Sequence, residues 1–170
     1  MQLEVPLSTV ECAARLAHEC GVRVILDPAP GRPLSDQLLS YVDVLTPNES
    51  EASIISGIEV VDLDSAERAA KVLRDRGART VLVTLGSGGV LAVNQNETFH
   101  VPAFEVDAVD TTGAGDAFNG ALAVALAEDK SIYDACTMAA ASAALSVTRN
   151  GTSIASPLRQ EVNAFLNMKR

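Results

Sequence analysis

The chain has 170 residues, 48% of them hydrophobic and 21% charged, a composition that can build a globular core and excludes an intrinsically disordered chain. A formal net charge of −9 argues against non-specific nucleic-acid binding, which depends on basic surface. It leaves room for a nucleoside triphosphate, because backbone N–H groups and a magnesium ion can hold phosphate without basic side chains. No stretch approaches the roughly 18 apolar residues of a membrane span. The opening MQLEVPLSTVE lacks the basic-then-apolar order of a secretory signal. The expectation is therefore a cytoplasmic protein with neither membrane nor nucleic acid as partner. Cys12, Cys20 and Cys136, with His18 and His100, show no metal-ligand spacing and read as reduced thiols and ordinary histidines.

A first helix is predicted from Ser8, with Ser8 as N-cap and Glu11 completing a capping box. Val10, Ala13, Ala14 and Ala17 recur at helical spacing, and Gly21 ends the helix. Val22–Leu26 is a short apolar run of the kind found in buried parallel strands, closed by Pro28 and Pro30. A short helix around Asp36–Tyr41 leads to a second strand, Val42–Leu45. Asn48 then offers an N-cap, with Glu51 as its capping-box partner and Gly57 as the helix stop. Asp64 and Glu67 repeat the device for a helix that runs to Arg76 and closes at Gly77. Thr80–Leu85 reads as another buried strand. Gly86-Ser87-Gly88-Gly89 turns the chain into Val90–Val93, and Asn94–Glu97 turns it into Thr98–Val101, a β-meander.

Beyond Pro102 a helix is predicted from about Gly113 to Glu128, and another from about Ser131 to Val147. The second carries Ile132, Ala135, Cys136, Ala139, Ala140, Ala143, Ala144 and Val147 on one face, small enough for close packing. A last helix begins near Pro157, suited to a first helical position, and ends near Met168. Alternating strands and helices give the α/β class, with a mostly parallel sheet flanked by helices and no internal domain boundary.

Four segments could carry chemistry. Gly113, Ala114 and Gly115 have almost no side chain and stand at the start of a helix, where N–H groups lack partners and the dipole is positive. That makes an anion site suited to a phosphoryl group gaining charge during transfer. Asp116 in the first turn is either a favourable helix-start carboxylate or a base beside that site; the residues alone leave both open. Asn48 and Glu51 read first as a capping box. The glycines of Gly86–Gly89 read first as turn residues. Ser146–Gly151 reads as a helix C-terminus, with Arg149 against the dipole and Gly151 as the stop.

The run DTTGAGDAFNGAL resembles the second signature of the PfkB carbohydrate kinase family. QLEVPLSTV, DPAP, VDVLTPNESEA, VTLGSGGV and SVTRNG fall in the same order as in the C-terminal half of the family's ribokinases. The resemblance implies the ribokinase-like fold and transfer of the ATP γ-phosphate to a sugar hydroxyl, ribose giving ribose 5-phosphate. It makes Asp116 the catalytic base at the substrate hydroxyl and the Gly113, Ala114 and Gly115 amides the anion hole. Glu51 would orient magnesium through water. Asn48, Thr84, Gly86, Ser87, Gly88, Gly89 and Gly115 would line the ATP site. Asp110, Thr112, Ser146, Arg149 and Gly151 match a monovalent-cation site, commonly for potassium, built mostly from carbonyl oxygens. Ala155 stands where ribokinases often place a Ser, and Ala140 where a His or Asn commonly lines the adenine pocket. The alternatives are a nucleotide-binding portion without catalysis, or a kinase of the same family for another sugar or nucleoside.

The resemblance further implies that an N-terminal half lies outside this sequence, with a GGKGxN-type sugar motif, a ribose-gripping Asp and the β-sheet lid that makes the family's dimer contact. An unpaired apolar edge beside Val22–Leu26, open to self-association, is the expected consequence.

Overall fold

The computed structural model describes residues 1–169, which divide into two compact units: Met1–Gly86 with Val90–His100, and Ser87–Gly89 with the chain from Val101 onward. In the first unit, α1 (Leu7–Glu19), β1 (Ile25–Leu26), α2 (Asp36–Ser40), β2 (Val44–Leu45), α3 (Glu49–Ser56), α4 (Leu63–Asp75), β3 (Thr80–Thr84) and β4 (Val90–Val93) follow in chain order. With β5 (Thr98–Val101) the strands form one sheet in the order β1-β2-β3-β4-β5. β1, β2 and β3 are parallel, with Ile25 opposite Val44 and Leu45 opposite Val81; β4 returns antiparallel, Leu82 opposite Ala92.

Hydrophobic periodicity explains the packing. Ala66, Ala69, Ala70 and Leu73 recur on one side of α4 and are fully buried, as are Leu26, Leu45, Val81 and Val83 of the sheet. Each large side chain removed from water in this way contributes roughly 1.5–3 kcal/mol.

Several boundaries differ from the expectations. α1 starts at Leu7, and Pro6, not Ser8, occupies the cap position, its carbonyl accepting the Thr9 and Val10 amides. Proline suits this place because its fixed φ prepares the chain for the helix. Glu11 accepts a bond from the Ser35 hydroxyl instead of closing a capping box. α4 is capped by Asp62, whose carboxylate accepts the Ser65 amide at 2.7 Å while the Ser65 hydroxyl accepts the Asp62 amide at 2.9 Å. Asp64 therefore lies inside the first turn, and Glu67 pairs with Lys71. The first two strands are shorter than the apolar runs. Val22 is 57% exposed, with its amide bonded to Ala17, and the Val24 amide goes to the Asp43 carboxylate at 2.8 Å. β1's outer edge is paired: the Asp27 amide donates to the Met1 carbonyl and the Leu3 amide to the Ala29 carbonyl. Residues 1–3 thus cover main-chain groups expected to be bare.

The second unit contains α5 (Ala114–Ala127), α6 (Ile132–Ser146) and α7 (Arg159–Met168). α5 and α6 pack together. Ala117, Leu122 and Ala125 of α5 and Ala135, Ala139 and Ala141 of α6 are buried. The buried part of α6 is a broad band from Ala135 to Ser142 with Ser146, not the single predicted stripe; Ile132, Ala143, Ala144 and Val147 are half-buried. Small side chains around most of the helix let it be enclosed on more than one side. α7 starts two residues after Pro157, because Glu161 accepts the Leu158 amide at 2.6 Å and organises the first turn from there. Phe104 meets Phe165 edge-on at 5.3 Å between ring centroids. Among the described residues no helix is long and apolar enough to cross a membrane.

Candidate active site

Because β1, β2 and β3 are parallel, the loops at their C-terminal ends lie on the side of the sheet where α/β proteins bind ligands. Those loops are Asp27–Gly31, Thr46–Asn48 and the turn from Leu85, so two of the four segments singled out above are placed by topology. The last two are tied together. The Thr84 amide donates to the Pro47 carbonyl at 2.9 Å, and Asn48 and Thr84 form a parallel bridge. The capping box forms as expected: the Glu51 amide donates to Asn48 Oδ1 and the Asn48 amide to Glu51 Oε2, each at 2.9 Å. Glu51 is buried, and a Cβ on Gly31 would lie 3.2 Å from its Cγ, so the glycine lets the loop after β1 pass directly over the start of α3.

Gly86–Gly88 forms one turn of 3-10 helix. The glycines around it serve different ends. Gly86 has φ +52 with no described atom within 4 Å of an added Cβ, whereas at Gly89, with φ +89, that Cβ would meet the Val101 carbonyl oxygen at 2.1 Å.

The second unit holds the remaining candidates. Gly113, left-handed at φ 80, is the N-cap of α5. Gly115 and Asp116 are exposed in the first turn, and a Cβ on Gly115 would meet no described atom within 4 Å. The Asn119 side chain donates to the Gly115 carbonyl at 3.1 Å, which helps set this turn. The Asp110 carboxylate accepts the Thr112 amide at 2.9 Å and the Gly151 amide at 3.1 Å, joining the segment before α5 to the loop after α6. The Val109 and Asp110 amides both bond to the Val147 carbonyl, at 2.7 and 3.1 Å. Hydrogen bonds from Thr112, and then from Gly151, hold the Asp110 carboxyl below the usual range, so it is ionised.

Ser146 and Arg149 sit in the same loop region, but their side chains are engaged elsewhere. The Ser146 hydroxyl donates to the Ala143 carbonyl at 2.8 Å, and Arg149 pairs with Glu161. Ala155 and Ala140 are both buried. Among the described residues no cluster of three or more His, Cys, Asp and Glu could hold a metal. Gly31, Thr152 and Glu161 were not singled out in the sequence. Only Glu161 left a signal, an acidic residue three positions after Leu158, and leucine cannot supply the other half of a capping box.

The sheet order and the helices define the ribokinase-like α/β fold. The ribokinase of Arabidopsis thaliana, solved with ribose and ATP, matches 97% of this chain with a TM-score of 0.92 and 36% identity, over 54% of its own length. The chain belongs to the pfkB family of carbohydrate kinases, whose model matches residues 1–159. It is 49% identical to the ribokinase of Haemophilus influenzae over 98% of this chain, and 38% identical to the deoxyribokinase of Salmonella typhi over 99%. The chain spans about half the length of these curated relatives, 54% and 55%.

Proposed function

We propose that this chain is the nucleotide-handling portion of an ATP-dependent sugar kinase whose acceptor is ribose. The observation that carries the reading is the start of α5, where a left-handed glycine and an open Gly115 precede an exposed carboxylate, Asp116. A helix start of this form binds phosphate through main-chain N–H groups and the dipole. As the sugar oxygen bonds to the γ-phosphorus and the bond to ADP breaks, the hydroxyl proton passes to Asp116. The Gly113 and Gly115 amides stabilise the charge on the transferring group, joined by that of Ala114 when it gives up its 3.3 Å bond to the Thr111 carbonyl. Magnesium, when bound, neutralises phosphate charge, and Glu51, fixed by its capping box with Asn48, is suited to orient it through water. Thr84 and Gly86–Gly89 supply main chain for the approach of ATP. The loop joined by Asp110 and Gly151, with Thr112, Ser146 and Arg149, offers carbonyl oxygens to a monovalent cation such as potassium. Ribose is favoured over other acceptors by the 49% identity with a ribokinase, and 2-deoxyribose is the nearest competitor on the 38% identity with a deoxyribokinase.

Asp116→Asn tests the assignment. Removing a general base lowers turnover by about 10²–10⁴-fold, with MgATP affinity retained in calorimetry. Turnover near that of the unchanged protein would remove Asp116 from the mechanism. Binding of MgATP by the unchanged chain without ribose-dependent ADP release would favour a non-catalytic nucleotide module instead.

A further inference from the structure

The loop between α6 and α7 is held at two points, one leading to the segment before α5 and the other to α7. At one, Asp110 grips the Thr112 and Gly151 amides. At the other, Arg149 donates to both carboxylate oxygens of Glu161, which also accepts the Leu158 amide at 2.6 Å. Between these points Thr152 backs onto the N-cap of α5: its Cα and Cβ lie 3.4 Å from where a Cβ on Gly113 would stand. The intervening chain has no regular helix or strand, and its internal tie is a bond from the Ala155 amide to the Thr152 carbonyl. The ion pair is therefore a side-chain hold that links this loop to α7, beside the Thr148 and Arg149 amides that bond to the Leu145 and Ser146 carbonyls of α6.

We propose that Glu161 is a positioning residue: through Arg149 it sets the Arg149–Thr152 loop, and through that loop the helix start at Gly113. For its consequence in nucleotide binding the inference rests on the reading given above. The Arg149 and Glu161 side chains are 37% and 38% exposed, and ion pairs this accessible contribute little to global stability. Loss of the pair should then loosen the loop without unfolding the unit.

Glu161→Gln isolates the effect, because glutamine can still accept the Leu158 amide while losing the charge that holds Arg149. Arg149→Met removes the other partner and keeps the aliphatic stem. Amide hydrogen exchange by NMR on the ligand-free protein is the first readout. The expected result is several-fold faster exchange at Thr112 and Gly151 in both variants, with the interior of α5 around Leu122 unchanged. The double variant should exchange no faster than either single, as for two members of one interaction. Unchanged exchange at Thr112 and Gly151, or a uniform increase across α5, would overturn the proposal. MgADP affinity by calorimetry is the second readout, expected to fall several-fold in both single variants, with Arg149→Lys restoring part of the loss. Faster exchange at Thr112 and Gly151 in a protein that does not bind MgADP would sustain the positioning role and overturn the nucleotide reading.

Discussion

Gly86 and Gly89 stand three residues apart in one motif, both at positive φ, yet substitution should separate them sharply. In Gly89→Ala the new Cβ would lie 2.1 Å from the Val101 carbonyl oxygen, 2.6 Å from the Ala103 nitrogen and 2.8 Å from the Pro102 carbonyl carbon. All three are main-chain atoms, so no side chain can rotate away, and the backbone must shift. A left-handed conformation costs a residue with a Cβ roughly 1–2 kcal/mol. Forcing extra volume into packed surroundings adds about 1–3 kcal/mol, for a total of about 2–5 kcal/mol. Gly86→Ala meets no described atom within 4 Å and carries only the conformational part, about 1–2 kcal/mol. Urea unfolding followed by circular dichroism measures both. With a slope of about 1–3 kcal/mol/M, Gly89→Ala should lower the midpoint by about 1 M or more, and Gly86→Ala by about half as much. Equal midpoints for the two variants, at equal slope, would refute the steric reasoning.

Asn48→Ala removes the acceptor of the Glu51 amide and should cost about 1 kcal/mol; if calorimetry shows MgADP affinity unchanged as stability falls, Asn48 serves only as a cap. Burial pushes the Cys136 thiol up to about 12, while Cys12 and Cys20 are exposed. A colorimetric disulfide reagent at pH 8 should therefore titrate two thiols in the native protein and the third only in urea, and three fast thiols would contradict the packing of α6. Hydrogen bonds from the Ser65 side chain and then its amide hold Asp62 below the usual carboxylate range. A folded value below the unfolded one means that its contribution is present above about pH 4 and is lost as pH falls through the lower, folded value. The urea midpoint of Asp62→Asn should accordingly fall less steeply from pH 6 to pH 3 than that of the unchanged protein, and parallel curves would show that the cap carries no proton linkage.

Short-range devices were legible because both partners lie within one turn of chain. The Asn48–Glu51 capping box, the left-handed stop at Gly57, the start of α6 near Ser131 and the strands Val90–Val93 and Thr98–Val101 stand where spacing and residue type put them. So does the start of α5, since small residues before a helical pattern specify an exposed helix end without help from distant chain. Even locally, competition between neighbours misled: Asp62 and Asp64 are equally good caps by composition, and Ser65 decides for Asp62 by closing the reciprocal bonds.

What tertiary structure alone decided is which distant groups meet. The Asp110 carboxylate reaches an amide 41 residues away, Met1–Leu3 covers the outer edge of β1, and the Val101–Ala103 backbone makes Gly89 obligatory while Gly86 stands open. Periodicity reports which face of an element is apolar and says nothing of what will pack on it. The residues at the start of α5 were readable as a glycine-led helix start from the chain itself. The pairing of Arg149 with Glu161 was not, because each reads locally only as a helix-end residue and the two meet only when α6 and α7 are folded side by side.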